Sequence, residues 1–169
     1  WGSTVTTPGT IRTATYSLAF DTIYIFRVRA VDTAGHWSPW AVAGTSRVHP
    51  FDDRSSRVVK TGLWKPATSA GAFKTTETGS TRSTATIRMT FTGHSVALVG
   101  PKTPRRGKAQ VFIDGVYVKT ISMKSSTSLS RRVVFGQFFP AGGTHTISVV
   151  PTGTGDYRLF RVDAIVVGR

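Results

Sequence analysis

The sequence predicts an all-β protein, a partial β-sandwich followed by a complete one. Apolar residues alternate with polar ones at period two in run after run, and no run keeps a helical period. Turn residues separate these runs at short intervals, and Ser, Thr and Gly fill much of what the 39% hydrophobic fraction leaves. The 169 residues suffice for one large domain or two small ones.

The first clear strand is residues 24–31, with Tyr24, Phe26, Val28 and Ala30 on one face and Arg27 and Arg29 on the other. A turn at Asp32-Thr33-Ala34-Gly35 leads to a return run, His36 to Ala41, whose Pro39 suits an edge strand. Gly44 to Pro50 reads as a polar junction, and a second domain is expected from Phe51. In that domain Arg82 to Phe91 alternates, with Ala85, Ile87, Met89 and Phe91 on its buried face. Strands follow at Ser95–Val99, Ala109–Ile113 and Val116–Met123, the last two joined by Asp114-Gly115, the pair a type I′ hairpin turn favours. Arg132–Phe135, Thr144–Val150 and Leu159–Val167 complete the set, which is the strand count of a sandwich or jelly roll.

The motif Tyr24-x-Phe26-Arg27-Val28-Arg29-Ala30-Val31-Asp32-x-Ala34-Gly35-x-Trp37-Ser38-x-Trp40 resembles the last two strands of a bacterial fibronectin type III module, with Thr15-Tyr16-Ser17-Leu18 as the strand before. That resemblance puts Trp1 near the middle of the module and makes the chain a piece of a longer protein. Residues 57–169 are similar to the galactose-binding-like, carbohydrate-binding-module-like jelly rolls of secreted actinobacterial proteins. The likeness rests on Phe91-x-Gly93, Gly107-x-Ala109-x-Val111-x-Ile113-Asp114-Gly115, Gly143-Thr144-His145-Thr146-Ile147 and the terminal Val162 to Val167. The expected architecture is therefore a partial fibronectin type III-like sandwich with its linker over 1–50 and a jelly-roll β-sandwich over 51–169.

Charge narrows the partners. Of the formal net charge of +14, residues 1–50 carry Arg12, Arg27, Arg29 and Arg47 against Asp21 and Asp32, so the excess lies on the second domain. Such a field attracts polyanions and weakens with salt. Lys102, Arg105, Arg106 and Lys108 cluster in one loop stiffened by Pro101 and Pro104, either a solvated hairpin end or a site for phosphates and carboxylates. No reading helix or aromatic groove accompanies them, so specific nucleic-acid recognition is not expected.

Trp64, Phe73, Tyr117 and Tyr157 fall outside the core alternation and are the candidate sugar-stacking aromatics, with Trp64 equally readable as a sheet-covering residue. The chain has no cysteine, His36, His49, His94 and His145 stand apart, and no pair of carboxylates marks a glycosidase, so enzyme activity is not expected. Jelly-roll carbohydrate modules of this kind often hold a structural calcium, and the resemblance nominates Asp52, Asp53 and Asp163 for it; the other reading makes them turn and strand residues. No apolar run is long enough to span a bilayer. The expectation is a secreted or cell-surface module that binds a glycan or an anionic cell-wall polymer. The alternative is a structural domain of a surface appendage or virion that contacts neighbouring protein subunits or the missing N-terminal segment.

Overall fold

The computed structural model describes Gly9, residues 19–154 and residues 158–169. The expected strand at Thr15–Leu18, and Trp1 and Tyr157, lie outside the described residues. Strands dominate, and the helical content among the described residues is one 3-10 turn, Phe73–Thr75. The chain divides by its internal contacts into Trp1–Arg47 and Val48–Arg169.

In the first unit, β1 (Ile23–Val28) pairs antiparallel with the opening residues of β2 (Ala41–Asp52). The turn between them is tied by Asp32, whose Oδ1 accepts the N–H groups of Ala34 and His36 at 2.9 Å each, with Gly35 at φ +90°. The run His36–Ala41 is not the strand its composition suggested. Trp37 stacks on the Arg29 guanidinium at 4.0 Å and Trp40 on that of Arg27 at 4.1 Å, while Pro39 has no N–H to give a ladder. A bridge from Val31 to Trp37 and a hydrogen bond from the Ser38 N–H to the Ala30 carbonyl at 2.9 Å join this stretch to the residues just after β1.

The expected linker is also a strand. Gly44 to Pro50 lies within β2, whose residues from Val48 to Asp52 pair with the C-terminal strand of the second unit. Thr45, Val48 and their neighbours have the extended preference a strand needs, and in this stretch β2 has a single strand partner, where Pro50 is tolerated.

The second unit continues through β3 (Val59–Thr61), β4 (Lys65–Thr68), β5 (Thr76–Ser80), β6 (Thr86–Thr92), β7 (Ser95–Lys102), β8 (Lys108–Ile113), β9 (Val116–Ser122), β10 (Leu129–Phe138), β11 (Thr144–Pro151), β12 (Phe160–Val162) and β13 (Ala164–Gly168). One face of the sandwich is the sheet β3-β6-β11-β8-β9; the other runs β2-β13-β7-β10, with a small third sheet β12-β5-β4 beside them. Ile87, Met89 and Phe91 of β6 meet Leu98 of β7, Val111 of β8, Ile147 and Val149 of β11 and Ile165 and Val167 of β13 in one core. The period-two pattern buries each of these and leaves the intervening residues outward.

Asp114-Gly115 turns with φ +52° and +82°, the left-handed pair of a type I′ hairpin. The final apolar run is not one strand. It breaks at Asp163, whose N–H donates to Val99 and whose carbonyl accepts the N–H of Asp53, so β12 and β13 join different sheets. Strands β3, β4 and β5 went unread because they are short and lack alternation; β5 is buried at every position, and its Thr76, Glu77 and Thr78 look like surface residues in sequence.

Candidate functional site

The small sheet brings polar side chains from distant parts of the chain to one cleft. Ala67 and Thr68 of β4, Glu77 of β5, Pro101 at the end of β7, Arg106 in the following turn, Ser128 to Ser130 at the start of β10 and Arg161 of β12 enclose about 310 Å³. Arg161 stands opposite Gly79 in the β12/β5 pair, and its Nη1 lies 3.6 Å from the carboxylate of Glu77, a residue only 4% exposed. Burial, reinforced by the nearby Arg161 charge, lowers the Arg106 guanidinium below its ordinary range. Two guanidiniums and one carboxylate thus line the cleft, with Arg161 on Glu77, and among the described residues the Nε–H of each arginine is buried without an acceptor. An entering anion would supply the counter-charge that the cleft lacks, among hydroxyls from Thr68, Ser69, Thr103, Ser128 and Ser130.

The basic cluster read in the sequence is dispersed. Arg106 lines the cleft, whereas Lys102, Arg105 and Lys108 do not. Lys102 closes β7 in register with Leu129, Lys108 opens β8 in register with Ser122, and Arg105 is exposed on the turn, its N–H donating to the Thr103 hydroxyl at 3.3 Å. Arg161 was missed in sequence because it interrupts an otherwise apolar run of strand residues; a charged residue in such a run is the signal that would have found it.

Trp64 takes the sheet-covering role. It lies half-buried against the core and donates its indole N–H to the Thr61 carbonyl at 3.0 Å. Phe73, in the 3-10 turn, gives its main-chain N–H to Asp163 Oδ1 at 2.8 Å. Tyr117 remains an open platform, 51% exposed and edge-to-face with Phe112 at 5.8 Å.

Each of the three aspartates nominated for calcium accepts a hydrogen bond from elsewhere in the protein. Among the described residues no group of three or more His, Cys, Asp or Glu side chains is arranged to hold a metal ion. The Asp53 carboxylate, 0% exposed, accepts the hydroxyls of Thr76, at 2.6 Å, and Thr78, and the Lys60 ammonium donates to its main-chain carbonyl. Asp52 Oδ1 accepts the N–H of Arg54 at 3.0 Å in a turn. Asp163 keeps one buried oxygen, Oδ2, without a partner, and burial, aided by the Glu77 and Asp53 charges, pushes its carboxyl up to about 6.

No protein-family model matches the chain. A curated relative, the A type blood N-acetyl-alpha-D-galactosamine deacetylase of Flavonifractor plautii, is 27% identical over 101 residues, which are 60% of this chain and 13% of that protein. Among solved structures, the family 35 carbohydrate-binding module of Clostridium thermocellum aligns with a TM-score of 0.52 at 13% identity, over 70% of this chain and 98% of that one. A two-domain esterase active on acetylated mannans aligns at 0.56 and 11%, over 72% and 37%. The exo-beta-1,3-galactanase of Phanerochaete chrysosporium aligns at 0.50 and 16%, over 76% and 30%. The fold is thus a β-sandwich jelly roll, like that of the family 35 carbohydrate-binding module.

Proposed function

We propose that residues 48–169 are a non-catalytic glycan-binding module that attaches a larger secreted protein to an acidic glycan or an anionic cell-wall polymer. The first unit, fibronectin type III-like in its motif, serves as a spacer. The observation that carries this reading is a hydroxyl-lined cleft in which two guanidiniums, Arg106 and Arg161, stand beside one lining carboxylate, Glu77. A sugar carboxylate or phosphate supplies the charge missing there, and the net +14 of the chain draws such polymers in. The jelly-roll likeness to a family 35 carbohydrate-binding module supports the same reading, as does a relative that acts on an amino sugar.

Catalysis is not part of the proposal, because the carboxylates near the cleft are engaged. Glu77 faces Arg161, and Asp163 is 0% exposed with one oxygen on the Phe73 N–H. The test is retention on immobilised polygalacturonate and on teichoic-acid-bearing cell walls at low and at 0.5 M salt (roughly a 3–5 Å Debye length at the higher value). Retention at low salt that fades at high salt, and that Arg106→Ala and Arg161→Ala each weaken roughly tenfold, is the expected result. Equal retention by the variants, or none by the parent chain, rejects the cleft as the site.

A structural reading has its own observation. In the first unit Ile23, Ile25, Val28 and Val42 are exposed among the described residues, an apolar surface a neighbouring subunit would cover. Size-exclusion chromatography separates the two, since that reading requires an assembly and the binding-module reading a monomer.

A further inference from the structure

The outer face of the sheet β3-β6-β11-β8-β9 carries a cross-strand row with one residue from every strand. Its register aligns Val59 with Arg88, Arg88 with Ser148, Ser148 with Phe112 and Phe112 with Tyr117, one residue from each strand. At about 4.8 Å per strand step the row is roughly 19 Å long. An aromatic pair stands at one end, where Tyr117 is exposed and Phe112 half-buried. Arg88 sits in the middle, exposed, and among the described residues its guanidinium has no hydrogen-bond or ion-pair partner. A depression of about 440 Å³ opens beside it, bounded by Arg88, Thr146, Ser148 and the Asp114-Gly115 turn.

We propose that this face is a second saccharide site, one that takes an uncharged glycan chain laid across the strands with a ring stacked on Tyr117 and hydroxyls on Arg88. The charged groups that line the depression are one cation and one anion, Arg88 and Asp114, so it lacks the positive excess of the end cleft. Its other lining groups are hydroxyls, which donate and accept as sugar hydroxyls do. A protein partner would want a continuous apolar patch, whereas Arg88 and Ser148 separate Val59 from the aromatic pair. The exposed Tyr117 ring, braced by the edge of Phe112, offers a carbon face for the apolar side of a sugar ring. The turn that bounds the depression is rigid: Asp114 accepts the Thr146 N–H at 2.7 Å and the His145 Nδ1–H at 2.8 Å, and His145 stacks on Phe139 at 3.9 Å. The face shares no lining residue with the cleft of Arg106 and Arg161.

The experiment is a printed array of neutral β-glucan, galactan and mannan oligosaccharides, read with the whole chain and followed by titration calorimetry on the best binder. The expected result is binding to at least one of them that 0.5 M salt leaves unchanged. Tyr117→Ala and Arg88→Ala each weaken it roughly tenfold, Tyr117→Phe retains it, and Arg106→Ala has no effect. Thermal melts of these surface variants match the parent chain. Absence of any neutral binder overturns the proposal, as does binding that Tyr117→Ala and Arg88→Ala leave intact or that Arg106→Ala abolishes. Loss of acidic-polymer retention with neutral binding preserved counts against the end-cleft function alone.

Discussion

Gly79 stands opposite Arg161 in the β5/β12 pair, and a β-carbon on Gly79 would lie 2.9 Å from Arg161 Cγ and 3.0 Å from Leu159 Cδ1. The missing side chain is what lets the arginine stem cross the strand and bring its guanidinium to Glu77. Gly79→Ala therefore displaces Arg161 and costs about 1–3 kcal/mol through overpacking. Retention on polygalacturonate should fall to the level of Arg161→Ala, with the double variant no weaker than either. Additive losses would show that Gly79 does not act through Arg161.

Asp163 makes stability pH-dependent in an unusual direction. Its carboxyl is pushed up to about 6, above the roughly 3.9 of an unfolded chain, so the folded state holds the proton more tightly. Its contribution is complete below pH about 4 and is lost as pH rises to about 6, by up to about 3 kcal/mol. Asp163→Asn keeps an oxygen for the Phe73 N–H but cannot ionise. The melting temperature of the variant should stay near that of the parent at pH 4 and exceed it increasingly up to pH 7; a constant difference across that range refutes the assignment.

Chelation tests the aspartate cluster from another side. Asp53 is satisfied by Thr76 and Thr78, so EDTA is expected to leave the melting temperature unchanged, while Thr78→Val strips a donor from a buried carboxylate and costs about 1–3 kcal/mol. A drop of several degrees in EDTA, reversed by calcium, would show that the cluster holds a metal.

The β8/β9 hairpin depends on Gly115, whose φ of +82° suits no L side chain well. Gly115→Ala should lower stability by about 1 kcal/mol and the melting temperature by a few degrees. Asp114 is held below its usual carboxylate range by the His145 hydrogen bond and then by the Thr146 N–H, so its support for the turn persists at neutral pH and is lost as pH falls into the strongly acid range. Disappearance of Asp114→Asn destabilisation at pH 2–3, measured by melting, checks that coupling.

The amino-acid order alone determined the strands that alternate and the turns that need particular residues. Ile87, Met89 and Phe91 went to the core because period two puts them on one face, and Asp114-Gly115 turned because few other pairs accept positive φ twice. It also placed the positive charge on the second unit and nominated Arg106 and Tyr117. Tertiary structure decided everything that required a partner distant in sequence. Thr76, Glu77 and Thr78 read as surface residues, yet β5 is buried because its hydroxyls and carboxylate find Asp53 and Arg161. Arg161 reads as an anomaly in an apolar strand until Gly79 makes room for it. The row from Val59 to Tyr117 exists only in the register of five strands. Local preference acts over a few residues, whereas a site assembled from β4, β5, β7, β10 and β12 is set by long-range pairing that no local pattern encodes.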